Sequence, residues 1–175
     1  MNRIEKGSLL VLAIIVAFNI FFGLGSIPLL DPDEPVYAET AREMIQFNDY
    51  LSPRIYNEYW FDKPPMYYWL VAGAIHVFGD GEFAARFPAA LMAFLTVIML
   101  YCSITRLFNE RAGFWSALVL ATSVQFFYLG KAAVTDTTLL FFLTGSLLCY
   151  LHKQYWLMYC LLYTSDAADD LIGVD

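Results

Sequence analysis

Charged residues are scarce in this chain. Only 15% of its 175 residues are charged, whereas 59% are hydrophobic and 18% are aromatic. A soluble domain does not need that much apolar surface, so the composition excludes a soluble globular protein and indicates an integral membrane protein. Basic residues are also few, with ten Lys and Arg against 17 Asp and Glu. Nothing in their placement suggests that the protein binds nucleic acid.

Cysteine and histidine are rare, with three and two residues respectively. The three cysteines, Cys102, Cys149 and Cys160, all lie in apolar runs, where a thiol behaves as a small hydrophobic side chain. Their spacing matches neither a metal site nor a disulfide-stabilised scaffold. His76 lies in the middle of an apolar segment, and we interpret it as a structural residue.

The formal net charge of -7 comes largely from the end of the chain. Residues 164–175 contain four aspartates and no Lys or Arg, and they follow an apolar run, Trp156–Tyr163, that is too short to cross a bilayer. Two interpretations are open: a genuine short acidic terminus, or foreign sequence joined to a truncated reading frame. The string resembles translated sequencing-adapter read-through, so we favour the second. We therefore expect the chain to be an N-terminal fragment with a non-native tail.

The first long apolar run is Ser8–Ile27, twenty residues without a charge. As a helix it would be roughly 30 Å long, the thickness of a bilayer core. A signal peptide is the alternative, because Arg3 and Lys6 precede the run. No small-residue cleavage pattern precedes Pro28, so we predict an uncleaved first span. The two positive charges predict a cytoplasmic N-terminus.

An acidic stretch containing two prolines follows this run: Asp31-Pro32-Asp33-Glu34-Pro35. Proline fixes φ and disfavours helix at the residue before it, so we expect an irregular, extended backbone over residues 31–34. A solvated acidic turn before a helix is the simpler interpretation. Acidic side chains at a bilayer boundary are often functional, however, and this favours a functional site here.

Two helices are predicted after the acidic stretch. The first is amphipathic, begins at Pro35 and continues to Phe47. Its apolar face is predicted to carry Tyr37, Ala41, Met44 and Ile45, and its polar face Glu39, Arg42, Glu43 and Gln46. The second, Met66–Phe78, follows Pro64-Pro65. Thirteen residues are too few to span comfortably, but they suit an interfacial or re-entrant helix.

Charge placement decides the predicted topology. Further spans are predicted at residues 87–105, 112–129 and 135–151, with a partial fifth at 156–163. If the helix over residues 66–78 lies in the interface, the loop cations fall on the cytoplasmic side, as the positive-inside rule requires; these are Arg106, Arg111 and Lys153.

The sequence therefore predicts an all-α integral membrane protein, a truncated multi-span helical bundle. Residues 28–86 would form one long external loop containing juxtamembrane amphipathic helices, and the loop at residues 130–136 would return to the same face. On this topology Asp33, Lys63 and Asp136 can meet at one membrane surface.

An ordered set of motifs carries a family resemblance. The motifs are Asp33-Glu34, Tyr37-Ala38-Glu39, Ala41-Arg42-Glu43-Met44, Phe61-Asp62-Lys63-Pro64-Pro65-Met66-Tyr67-Tyr68-Trp69, Ala85-Arg86-Phe87-Pro88-Ala89-Ala90 and Thr135-Asp136. Together they resemble the GT-C membrane glycosyltransferases that use polyprenyl-phosphate sugars, most of all the bacterial branch with lipid A aminoarabinose transferase, which is related to the protein O-mannosyltransferases. The resemblance covers residues 8–155. This chain has Val36 where the aminoarabinose members usually have Arg, and Asp62 where they usually have Glu.

The resemblance implies an enzyme of the bacterial inner membrane, with the acidic motif on the periplasmic side. It would transfer a sugar, with inversion, from a polyprenyl-phosphate carrier to lipid A, another envelope glycan or lipid, or a protein. Asp33 would be the catalytic carboxylate with Glu34 as its neighbour, and Asp136 a further acid near the acceptor. Lys63 would neutralise the phosphate. Arg86 is either a second phosphate ligand or an interface anchor.

Further assignments concern substrate binding, a metal site and an alternative function. Tyr37 and Tyr67 are candidate substrate-binding residues, although an aromatic belt at the membrane interface would contain the same residue types. Glu58 and Asp62 are weak candidates for a divalent metal, since two acids do not define a site, and no other cofactor is expected. The alternative function is a non-enzymatic membrane protein or a transporter segment. Transport would favour acids inside the spans, and residues 87–105 and 112–129 contain none.

Overall fold

The computed structural model describes residues 3–30, 32–61 and 63–166. Within these ranges the chain forms helices and one short hairpin: α1 (Arg3–Phe21), α2 (Asp33–Phe47), β1 (Arg54–Ile55), β2 (Glu58–Tyr59), α3 (Met66–Phe78), α4 (Glu82–Leu107), α5 (Glu110–Thr122), α6 (Val124–Lys131), α7 (Asp136–Leu151) and α8 (Tyr155–Asp166). The predicted all-α class is confirmed. The non-native tail was predicted at residues 164–175; residues 164–166 continue α8, and residues 167–175 lie outside the described part.

Helix α4 is the centre of the bundle. It packs against α1, α3, α5, α6 and α7. The largest buried cluster lies between α4, α1, α5 and α6, and contains Leu12, Val16, Ile20, Leu24, Ala90, Ala93, Val97, Tyr101, Ala117, Ala121 and Phe126. Lipid tails are as apolar as these side chains, so close packing at small residues, rather than the hydrophobic effect, holds helices together in a bilayer.

Helices α2 and α3 pack on the first turns of α4 as a second cluster. The predicted apolar face of α2 is confirmed, since Tyr37, Ala41 and Met44 are buried there. Glu43 is a correction, because it was predicted on the polar face but is buried. Its Oε2 accepts a hydrogen bond from the Asn57 N–H at 3.1 Å, at the turn between β1 and β2.

Helix α1 ends earlier than the predicted run to Ile27. Its last helical residue is Phe21, and Gly23 adopts a left-handed φ of 69°. Glycine takes this conformation without steric cost and commonly terminates helices. Close packing continues beyond it, because a Cβ atom at Gly25 would lie 3.0 Å from Phe83 Cβ at the start of α4.

The stretch predicted as one span over residues 112–129 is broken. Helices α5 and α6 meet at a 65° bend, with Ser123 in extended conformation between them. Thr122 Oγ1 donates to the Leu118 carbonyl oxygen at 2.8 Å. Such back-bonding by Ser and Thr bends helices, and it gives a local reason for the break.

One described helix, α4, is long and apolar enough to cross a membrane by itself, and the bent pair α5–α6 meets the same criterion as a unit. Three shorter apolar helices accompany them, over Lys6–Phe21, Met66–Phe78 and Asp136–Leu151. The predicted helix over residues 66–78 is confirmed as α3, with the same bounds.

Candidate functional site

The acidic stretch enters a helix sooner than predicted. Helix α2 begins at Asp33, so the expected extended backbone is wrong for Asp33 and Glu34, while Asp31 lies outside the described residues. Pro35 is the third residue of the helix. The first four N–H groups of a helix have no partner within it, so a proline there removes no helical hydrogen bond.

Glu34 and Arg86 form a buried ion pair that joins α2 to α4. Their side chains are 4% and 2% exposed. Arg86 Nε donates to Glu34 Oε1 at 2.8 Å, and Arg86 Nη2 donates to Oε2 at 2.7 Å. Two parallel bonds of this kind fix both planar groups in orientation as well as distance.

The remaining donors of Arg86 bind backbone carbonyl groups after α1. Nη1 donates to Leu24 at 3.0 Å and to Ile27 at 2.8 Å, and Nη2 donates to Pro28 at 2.9 Å. A guanidinium has five N–H groups, and all five are now engaged. Both predicted roles for Arg86 therefore need correction: it has no N–H left for a donor phosphate, and its charge is buried rather than extended to the interface.

Glu34 also accepts two backbone hydrogen bonds. The N–H of Leu30 donates to Oε2 at 2.7 Å, and that of Ala133 donates to Oε1 at 2.6 Å. Burial alone would raise the pKa of Glu34, but the bonds from Arg86, Leu30 and Ala133 outweigh it and hold the pKa below its usual value. Glu34 is therefore ionised at neutral pH.

Asp33 and Asp136 are both exposed, and each is the first residue of a helix, α2 and α7 respectively. The bond between Glu34 and Ala133 links the two segments, because Ala133 lies three residues before Asp136. Asp136 also lines a largely apolar cavity of about 380 Å³ between the bent pair α5–α6 and α7.

Tyr37 and Tyr67 lie together on the α2–α3 side of the same region. Their ring centroids are 5.2 Å apart, in an edge-to-face arrangement. Burial raises the pKa of Tyr67 well above its usual value, and Tyr37, Glu34 and Asp136 add to the shift. The Tyr67 phenol is thus held protonated, and its oxygen has no hydrogen-bond partner within the described ranges. It is a buried donor near two of the predicted acids.

The other predicted residues lie on the segment between α2 and α3. Lys63 is half-buried just before Pro64-Pro65 and α3, and Glu58 is exposed on β2. Asp62 lies outside the described residues. Across the described parts of the chain, no three His, Cys, Asp or Glu side chains come together as a metal site.

Part of this arrangement has no side-chain signal in the sequence. The N–H groups of Leu30 and Ala133 bind Glu34 through the backbone, so no residue type marks them. Lys131 was also missed: its Nζ donates to the Phe22 carbonyl oxygen at 2.7 Å, just after the last turn of α1. A lone lysine among apolar residues at the end of a predicted span was the available signal.

Comparison with known proteins decides the family. The model described as dolichyl-phosphate-mannose-protein mannosyltransferase matches residues 62–164, more than half of the chain. The chain belongs to this family. The membership agrees with the ordered motifs and with the apolar α4, and it makes the chain a membrane protein.

Similarity to individual curated proteins extends the comparison. The undecaprenyl phosphate-alpha-4-amino-4-deoxy-L-arabinose arabinosyl transferase of Yersinia enterocolitica is 33% identical over 150 residues, which are 85% of this chain and 27% of that protein. A second transferase of that name, from Pseudomonas fluorescens, is 39% identical over 97 residues, 55% of this chain and 18% of its own length. The match thus spans only 18–27% of the length of these curated relatives.

The fold matches crystal structures of ArnT from Cupriavidus metallidurans, one in the apo state and one bound to undecaprenyl phosphate. Both match with a TM-score of 0.87 and 23% identity, over 97% of this chain and 34% of that protein. The helices described here therefore have the same arrangement as the matching part of ArnT.

Proposed function

We propose that this chain carries part of the active site of a glycosyltransferase. The enzyme transfers a sugar from a polyprenyl-phosphate carrier to lipid A, another envelope glycan or lipid, or a protein. The names of the curated relatives favour an undecaprenyl-phosphate donor. One observation carries the proposal: the Glu34–Ala133 bond brings together the two segments that present the exposed carboxylates Asp33 and Asp136.

Asp33 is the proposed general base. It takes the proton of the acceptor hydroxyl as that oxygen bonds to the anomeric carbon of the sugar. The bond from this carbon to the phosphate oxygen breaks at the same time, and the polyprenyl phosphate leaves with the electron pair. Attack opposite the leaving group inverts the anomeric centre. Asp33 suits this task because it is exposed, whereas Glu34 is already occupied by Arg86.

The other groups have supporting roles in the proposal. Lys63 neutralises the charge that develops on the leaving phosphate, and Asp136 orients the acceptor or the incoming sugar. Tyr67 supplies a phenol that stays protonated and can donate a hydrogen bond to substrate. Tyr37 packs against Tyr67 and holds its ring in place. Arg86 has no substrate contact in this scheme.

The proposed membrane arrangement follows the predicted topology. The first span begins at Ser8, and further spans lie near residues 87–105, 112–129 and 135–151, followed by a partial one. Residues 28–86 lie on the periplasmic face of the inner membrane, with α2 and α3 at its surface. The bent pair α5–α6 crosses as one broken span, which is tolerated in lipid where its open backbone lines a cavity, such as the one next to Asp136.

The test is a chimera in which this chain replaces the matching segment of the Yersinia enterocolitica relative. Transfer from an undecaprenyl-phosphate-linked aminoarabinose is measured in membranes at matched protein levels. Asp33→Asn keeps the shape of the side chain but removes the base, and we expect it to lower turnover by about 10²–10⁴-fold.

Asp31→Asn is the matched control for Asp33→Asn. It makes the same chemical change two residues earlier, at a position that precedes Pro32, and we expect a mild effect. Equal losses from the two substitutions would contradict the assignment of Asp33, and full turnover by the Asp33→Asn chimera would contradict the proposed function.

A further inference from the structure

We infer that the buried Glu34–Arg86 pair is a positioning element that sets the separation of Asp33 and Asp136. The inference rests on the proposed function, because it matters for catalysis only if those two carboxylates act together. Glu34 is adjacent to Asp33 in the chain, and its Oε1 holds the backbone of Ala133, three residues before Asp136. The pair therefore contacts both segments that carry the proposed acids.

The pair has no spare hydrogen-bonding capacity. All five N–H groups of Arg86 donate, and each carboxylate oxygen of Glu34 accepts one bond from Arg86 and one from a backbone N–H. Neither group can rotate without losing several short bonds at once. A guanidinium fork on a carboxylate is also directional, so the pair fixes angles as well as distances.

Together these bonds tie three other segments to α4, the central helix. Arg86 is anchored in α4 and holds the carbonyl groups of the segment after α1, while Glu34 holds α2 and the loop before α7. Small side chains let these segments approach closely, since Ala38, Ala85 and Ala133 form one buried cluster beside the pair. Four segments, two of them adjacent in the chain, therefore meet at one point.

Stability alone does not explain a pair of this kind. Removing two charges from water is costly, and well-packed apolar side chains often stabilise a protein as much as a buried ion pair does. What the ion pair adds is a single permitted geometry. At an active site that gain is large, because a misplacement of about 1 Å can lower a rate by about 10²-fold.

A distance measurement tests the positioning role without reference to transfer. Spin labels are placed on the exposed side chains of Gln46 in α2 and Leu147 in α7, in the full chain in phospholipid nanodiscs. The native cysteines, Cys102, Cys149 and Cys160, are replaced by alanine. We expect one narrow distance distribution in the parent, and a shifted or broadened distribution in Glu34→Gln and in Arg86→Lys.

Arg42→Gln is the matched control. Arg42, also on α2, forms a two-bond pair with Asp80, but that pair is about half exposed and does not touch the loop before α7. The substitution Arg42→Gln should leave the spin-label distance distribution unchanged. Parent-like distributions in both Glu34→Gln and Arg86→Lys would overturn the inference, as would an equal change in Arg42→Gln.

Transfer by the chimera gives the second readout. Glu34→Gln should lower kcat by about 10²-fold while the KM for the donor stays nearly constant, because geometry rather than donor binding is lost. Arg86→Lys should also lower kcat, since lysine keeps the charge but lacks the two-pronged guanidinium. Parent-like turnover by Arg86→Lys would mean that Arg86 only balances the charge of Glu34, and would overturn the inference. If Asp33→Asn remains active while the distances shift, the proposed function fails but the structural role of the pair stands.

Discussion

Gly113 of α5 lies directly against Thr105 of α4. A Cβ atom at position 113 would be 2.1 Å from Thr105 Oγ1 and 2.9 Å from the carbonyl oxygen of Tyr101. The threonine side chain could rotate away, but the carbonyl belongs to the backbone of α4, so the two helices would have to separate. We expect Gly113→Ala to destabilise the protein by about 1–3 kcal/mol, measured as the free energy of unfolding in detergent micelles.

Gly73 of α3 provides the opposite case. Nothing lies within 4 Å of a Cβ atom built there. Alanine is favoured over glycine in a helix by about 1 kcal/mol, so Gly73→Ala should stabilise slightly. Equal effects of Gly73→Ala and Gly113→Ala would contradict the close approach of α4 and α5.

The proposed topology predicts which side of the membrane two asparagines face. Asn57, in the turn between β1 and β2, should be external, and Asn109, between α4 and α5, should be cytoplasmic. Both are exposed in the structure. Single cysteines at these positions, in a cysteine-free background, are treated with a membrane-impermeant maleimide in intact cells. We expect labelling at 57 and protection at 109; labelling of both would refute this arrangement.

Lys63 separates an active-site role from a simple contact with headgroups. If it neutralises the donor phosphate, Lys63→Ala should lower donor turnover strongly. Lys63→Arg should also be damaging, because a planar fork does not replace a compact charge in a fixed pocket. A lysine that only reaches the headgroup layer would tolerate both changes. The measurement is donor turnover by the chimera, with Lys153→Ala as a control at an exposed lysine on the proposed cytoplasmic side.

The lowered pKa of Glu34 should make the stability of the protein depend on pH. Its pKa is lowered in the folded protein from an ordinary value of 4.5, so the folded state prefers the ionised form. Its contribution is therefore complete above the unfolded value and is lost as the pH falls below 4.5 through the folded value. Unfolding of the parent and of Glu34→Gln is followed from neutral pH downward. The difference between their free energies of unfolding should shrink over that acidic range. A constant difference would show that protonation of Glu34 does not affect stability.

The local sequence pattern was enough to predict helices α2 and α3. The apolar spacing of Tyr37, Ala41 and Met44 reports a helix face directly, because side chains three and four residues apart lie together. Pro64-Pro65 similarly marks the start of α3. For the membrane helices, hydropathy located the apolar stretches but not their ends: Gly23 stops α1 through a left-handed φ, and Ser123 breaks α5 from α6.

The site was predictable only in part. The sequence shows Glu34 and Arg86 as two charges 52 residues apart, and either of them could have faced substrate. Their pairing depends on how α2 meets α4, and the bond to Ala133 involves a backbone group that no residue type reveals. Tertiary packing pairs the two side chains with each other, although Glu34 was predicted only as the neighbour of Asp33, and Arg86 as a phosphate ligand or an interface anchor. Asp33 and Asp136 stay accessible at the helix starts.

The Glu34–Ala133 bond also constrains how the protein is made. Ala133 follows Glu34 by 99 residues. At a synthesis rate of about 5–20 residues per second, roughly 5–20 seconds pass between their appearances on the ribosome. During that interval the acidic segment has been synthesised, but the Ala133 N–H that binds Glu34 has not. Completion of the candidate site therefore waits for the loop before α7, and a segment that is synthesised early is among the last to reach its final geometry.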